Sequence, residues 1–147
     1  MATPKRPNPD RIIDAALSLA AQSRWREVTL SNIAVEAKIS LVQLYEIYRS
    51  KSEIVAALGD RVDRAVYAET GADVELEPIH DQLLDLLMRR LEKLAPHKNG
   101  ISSILRDTTR DPGTAICASI DMLRRMAHCL EAVGVGSAGV AGRVRTK

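Results

Sequence analysis

The chain has 147 residues, 46% hydrophobic, 27% charged and 3% aromatic, with no Phe and a formal net charge of +2. That length and apolar content suffice to bury a core and argue against a wholly disordered chain. No stretch approaches the ~18 uninterrupted apolar residues of a membrane span. The N-terminus, MATPKRPNPD, lacks the apolar segment of a signal peptide, so a cytoplasmic location is expected. Charge is unevenly spread. Residues 1 to 56 hold eight Lys/Arg against six Asp/Glu, residues 57 to 142 hold ten against thirteen, and Arg143, Arg145 and Lys147 close the chain. A mildly basic head and tip with an acidic body are compatible with nucleic-acid contact at one end.

The six prolines punctuate the sequence: Pro4, Pro7 and Pro9 in an N-terminal arm, then Pro78, Pro96 and Pro112, each just ahead of an apolar helical pattern where a missing N–H costs nothing. No run alternates in the manner of a strand. A first helix is predicted from about Pro9 to Ser23, capped by Asn8 and buried through Ile12, Ile13, Ala16, Leu17 and Ala20. Trp25 falls in a short connector. Thr29 reads as the cap of a short second helix through Ala37 that buries Ile33 and Ala34. Ser40 and Gln43 form an S-x-x-Q capping box opening a third helix with Leu44, Tyr45 and Tyr48. Ser50 and Glu53 make a second box, ahead of a long fourth helix to about Ala68 with Ile54, Leu58, Val62 and Val66 inside.

The body continues with longer elements. Ile79, Leu83, Leu86, Leu87, Leu91 and Leu94 keep helical spacing from Pro78 to Ala95, and Ile101, Ile104 and Leu105 mark a helix after Pro96. From Pro112 to Val133 a stripe of Ala115, Ile116, Ile120, Leu123, Met126, Ala127 and Leu130 is expected to be buried and is stopped by Gly134. Cys117 and Cys129 lie twelve residues apart in that helix, hence ~18 Å apart at ~1.5 Å per residue. They cannot pair with each other and read as two reduced, packed thiols. The following GVGSAGVAG holds half of the eight glycines and reads as a linker, a frayed end or a weak further helix.

A short helix, a tight turn and a second short helix over residues 29 to 48 have the geometry of a helix-turn-helix, whose second helix can enter the major groove of DNA. The stretch Thr29-Leu-Ser-Asn-Ile-Ala-Val-Glu-Ala-Lys-Ile-Ser-Leu-Val-Gln-Leu-Tyr-Glu-Ile-Tyr-Arg-Ser-Lys-Ser-Glu-Ile54 resembles the N-terminal domain of TetR-type transcriptional regulators. The shared elements, in order, are the Thr, Ile-Ala, Ala-x-x-Ser, Leu-Tyr and Ser-Lys. The resemblance implies an all-α fold, with a three-helix head over residues 1–52 and a helical bundle for ligand binding and dimerisation over 53–147. It implies that Thr29, Tyr45 and Lys51 hold phosphates, that Ser40, Leu41 and Gln43 reach base edges, and that Lys38 and Arg49, with Lys5 and Arg6 in the arm, add phosphate contacts. Gln43 suits a bidentate pair with adenine. The residues alone leave other readings open: Ser40 and Gln43 can be only a capping box, Tyr45 only core, and Lys51 only a solvated lysine.

Three departures from the family pattern stand out. Lys38 replaces the turn glycine, where a left-handed backbone costs another residue roughly 1 kcal/mol. Ile47 replaces a residue that commonly touches phosphate, and the stretch from Ser40 to Tyr48 has Glu46 but no Lys or Arg. Binding by a monomer would then be weak, since each phosphate contact adds only about −0.9 to the salt slope. A homodimer on a pseudo-palindromic double-stranded DNA site is therefore expected, as a repressor controlled by an apolar small molecule.

The body from Gly71 onward has no aromatic residue, so a cavity lined by Leu87, Leu91, Ile104, Met122, Met126 and Leu130 would take an aliphatic rather than a flat aromatic effector; the same residues also suit a filled core. The segments Asp85-Leu-Leu-Met-Arg-Arg-Leu and Leu94-Ala-Pro-His-Lys also resemble the branch of this fold related to the lipid-binding accessory protein of ubiquinone biosynthesis. The alternative is thus a lipid- or isoprenoid-binding protein that does not bind DNA. His80, His97 and His128 are scattered and no HExxH or CxxC exists, so no enzyme activity, metal or cofactor is expected. Relatives of this type continue for about two more helices; either the chain is truncated or it dimerises through fewer.

Overall fold

The computed structural model describes residues 7–69 and 78–132, and all regular structure among them is helical. The expectations for Lys5, Arg6 and the Gly-rich end lie outside the described residues. The first helix, α1 (Pro9–Gln22), begins where Asn8 Oδ1 accepts the Asp10 N–H at 3.0 Å, with Pro9 supplying a first position that needs no donor. Its buried face is Ile12, Ile13, Ala15, Ala16, Leu17 and Ala20. A 3-10 turn, Trp25–Glu27, follows and buries the Trp25 ring.

Helices α2 (Leu30–Glu36) and α3 (Leu41–Tyr45) come next. The turn between them closes with Lys38 N–H on Val35 O at 3.0 Å and Ile39 N–H on Ala34 O at 3.0 Å, the paired bonds of a Schellman motif. Lys38 holds φ 56°, the one positive value on a non-glycine residue among those described. It occupies the position where the turn wants glycine. Helix α4 (Lys51–Glu69) starts with Glu53 N–H on Ser50 Oγ at 3.2 Å, while the Glu53 carboxylate reaches past Ser50 to accept Arg49 N–H at 2.7 Å. Ile54, Leu58, Val62 and Val66 form its buried stripe.

The body is α5 (Ile79–Leu94), a 3-10 turn through Pro96 (Ala95–His97), α6 (Lys98–Thr108) and α7 (Pro112–Ala132). One apolar cluster runs from α1 through α2, α3 and α4 to Leu86 on α5 and Ile104 on α6. Helix α6 lies so close to α1 that a Cβ on Gly100 would stand 2.6 Å from the Leu17 carbonyl oxygen. Ion pairs fasten α5 to α4, Arg90 to Asp63 and Lys93 to Glu69.

Helix α7 is turned opposite to the expectation. Arg125, only 8% exposed, faces inward: its guanidinium donates to Asp60 at 2.9 Å, Asp63 and Asp121 at 2.8 Å, and the Ala56 carbonyl at 2.7 Å. Burial alone would weaken its charge, but the hydrogen bonds to Asp121, Asp63 and Asp60 outweigh it and hold the guanidinium above the ordinary arginine range. Satisfying one arginine with three carboxylates leaves Ile116, Ile120 and Leu123 on the far side, 62%, 47% and 70% exposed. Cys117 is exposed as well, not packed.

Candidate nucleic-acid interface

The α2–α3 pair is locked from below and open above. Ile33, Ala34, Ala37 and Leu44 are buried against α1 and α4, whereas Thr29, Lys38, Ser40, Leu41, Val42, Tyr45 and Arg49 reach solvent. Both short helices are pinned by reciprocal caps. Thr29 Oγ1 accepts Asn32 N–H at 3.1 Å and Asn32 Oδ1 accepts Thr29 N–H at 3.0 Å; the hydroxyl also donates to Asn32 Oδ1 at 2.5 Å. Asn32 was hidden in the sequence because the box is usually completed by Glu or Gln. Ser40 and Gln43 cap each other in the same way, at 3.1 and 3.0 Å. The Gln43 amide NH2 makes no hydrogen bond among the described residues, and its oxygen keeps a second lone pair, so the cap and an adenine pair are chemically compatible.

Lys51 is placed differently from an open phosphate ligand. Its Nζ donates to the Trp25 and Val28 carbonyls, both at 2.8 Å, and stands 4.8 Å from the Trp25 ring centroid. Burial pulls its pKa below the usual lysine value, opposed by Asp107. The ammonium therefore ties the start of α4 to the connector that leads into α2, with one N–H left to spend. The same connector is gripped from the other side by α6. Ser103 Oγ accepts Trp25 N–H at 3.2 Å and donates to Ser23 O at 3.1 Å, and Asp107 accepts Arg26 N–H at 2.8 Å. Nothing in the sequence singled out Ser103 or Asp107, which act across about 80 residues of chain. Tyr48 packs against the core, where burial, then Asp10, pushes its phenol above the ordinary range.

The residues expected to line a ligand pocket are spread over the body. Leu91 and Met122 are 61% and 54% exposed, Leu87 and Met126 are half-buried on separate helices, and the Leu130 side chain lies outside the described ones. Ile104 borders a cavity of about 10 Å³ between α1, α4 and Trp25. That is room for no more than about one water. Of the side chains that spaced like a cavity lining, α5 turns Leu91 outward and α7 turns Met122 outward. Among the described residues no group of three or more His, Cys, Asp or Glu could hold a metal ion, and no helix is long and apolar enough to cross a membrane.

These features define an all-helical protein headed by a helix-turn-helix. Residues 12–58 match the family model for bacterial regulatory proteins of the tetR family. The chain is similar in structure to the TetR transcriptional regulator of Nitrosomonas europaea ATCC 19718, with a TM-score of 0.74 and 26% identity, over 87% of this chain and 74% of that one. A TetR transcriptional regulator of Rhodococcus sp. RHA1 shares the fold at a TM-score of 0.59 and 20% identity, over 85% of this chain and 68% of that one. No curated protein matches the sequence at a significant level. The head is a TetR-family helix-turn-helix domain, and it stands on a TetR-like all-α fold.

Proposed function

We propose that the protein is a DNA-binding repressor that works as a homodimer on a pseudo-palindromic site. The observation that carries this reading is the α2–α3 pair, rigidly capped and core-locked on one side, with uncommitted polar and cationic groups on the other. Lys38 and Arg49 side chains make no ion pair among the described residues and suit phosphates; the Tyr45 phenol and the Thr29 hydroxyl add neutral phosphate contacts. Ser40, Leu41 and Gln43 address base edges. Lys51 holds the connector and offers its remaining N–H to a phosphate. Residues 1–52 serve as the reading head and 53–147 as the body.

Two reading heads are needed for useful affinity, since one head offers two or three cationic contacts. The outward row Ile116, Ile120 and Leu123 supports pairing with a second copy, because exposed apolar rows of this kind are rare on free monomers. The aliphatic surface of α5 and α7, without aromatic rings, supports control by an apolar effector. A lipid-holding role draws no support from the cavity of about 10 Å³ beside Ile104. The reading is of a cytoplasmic binding protein and not of a catalyst.

The test is fluorescence anisotropy with duplex from the gene's own upstream region. Wild type is expected to bind, and Arg49→Ala and Tyr45→Phe each to weaken binding about three- to tenfold, the net worth of one solvent-accessible hydrogen bond at ~1 kcal/mol. Equal binding by both variants would remove these residues from the interface.

A further inference from the structure

We infer that the outer face of α3 reads thymine through its C5-methyl group, with Val42 and Leu41 as the specificity-determining side chains. The inference rests on the proposed role of α3 as the helix that enters the groove. Leu44 is fully buried and fixes the inward direction of this helix. At 100° per residue, Val42 lies about 200° from Leu44 and points most directly away from the core. Its exposure of 70% agrees, and Leu41 beside it is 38% exposed.

The polar competition on this face is small. Ser40 and Gln43 cap each other, which leaves the Gln43 amide NH2 for an adenine to one side of the face. The helix carries no Lys or Arg to grip guanine O6 and N7, the commonest specific contact in the major groove. What remains at the centre of the face is a branched aliphatic side chain, and thymine is the base that offers the major groove an apolar group. A valine left 70% exposed in the free protein gains most by covering such a methyl. Each half-site should therefore hold a fixed T·A pair opposite Val42, with an adenine within reach of Gln43.

The experiment uses the full chain and a library of random duplexes, followed by synthetic duplexes of the selected sequence. Selected sites are expected to share a thymine at one position of each half-site. Replacing that thymine by deoxyuridine, which removes only the methyl, should weaken binding about three- to fourfold per half-site, the worth of one buried methyl-sized group. Val42→Ala should lower affinity for the thymine duplex by a similar factor and bring the two duplexes within experimental error of each other. Circular dichroism of that variant checks that the helices are intact. Selected sites without a fixed thymine, equal binding of thymine and uracil duplexes, or full discrimination retained by Val42→Ala would each overturn the inference. Enrichment of no duplex at all would instead overturn the DNA-binding reading on which it stands.

Discussion

Replacing Gly100 by Ala sets two effects of opposite sign against each other. Gly100 lies in the first turn of α6, where alanine would ordinarily gain up to about 1 kcal/mol of helix propensity. The added Cβ would stand 2.6 Å from Leu17 O and 3.4 Å from the Leu17 carbonyl carbon and Cα. Ordinary carbon-to-oxygen contacts begin near ~3.3 Å, so α1 and α6 must part by more than half an ångström. The obstacle is backbone in a buried turn, which cannot swing aside as a side chain can. Overpacking of this kind costs typically ~1–3 kcal/mol, and the upper end applies here, leaving a net loss of about 2 kcal/mol. With an m-value of about 2 kcal/mol/M, the urea midpoint should fall by about 1 M. Gly113 on α7, with only Asp111 Oδ1 at 3.9 Å from its Cβ position, is the control, and Gly113→Ala should lose nothing. A Gly100→Ala variant as stable as wild type would refute the claim that close backbone approach, and not helix propensity, decides this position. The separation should also be felt in the head, because Ser103 and Asp107 on the same helix hold the connector before α2. DNA binding should weaken together with stability.

Other expectations follow from single contacts. Lys38→Gly relieves the left-handed strain at φ 56° and should raise stability by about 1 kcal/mol in urea melts, while flattening the salt slope of DNA binding by about 0.9 per head; an unchanged slope would place Lys38 away from phosphate. Arg125→Met removes the guanidinium from Asp60, Asp63 and Asp121. Asp60 remains open to water and Asp63 keeps Arg90, so a loss of about 2 kcal/mol is expected in thermal or urea melts, below the ~3–5 kcal/mol of a fully buried broken pair. Tyr48 favours its neutral form in the folded state, so its contribution is full below the ordinary tyrosine pKa of 10.0 and is lost as pH rises through the higher folded value. Tyr48→Phe should accordingly lose less stability than wild type as pH rises above the ordinary tyrosine pKa of 10.0.

The head was legible in the sequence because its elements are fixed by local chemistry. Asn8, Thr29, Ser40 and Ser50 cap the helices that their types and spacings announce, and the Ile12-to-Ala20 stripe packs as its period requires. The body was less legible. An apolar stripe says which residues belong together on α7 but not whether they face their own chain or another. Arg125, sitting in the opposite stripe, decided the matter through three carboxylates contributed by α4 and α7 itself. The Lys51, Ser103 and Asp107 clasp on the Trp25 connector is a meeting of residues far apart in sequence, and no local pattern encodes it. Two of the expected pocket residues, Leu91 and Met122, sit on outward faces that spacing alone cannot orient.

The central claim is that the α2–α3 head binds duplex DNA through the phosphate and base contacts named above. A salt titration of binding to a selected duplex tests it most directly. Two heads, each with Lys38, Arg49 and the remaining N–H of Lys51 on phosphates, make six contacts and predict a slope of log Kd against log salt of about 5.4. A protein that retains no duplex at low salt, or holds one with no dependence on salt, would contradict the account.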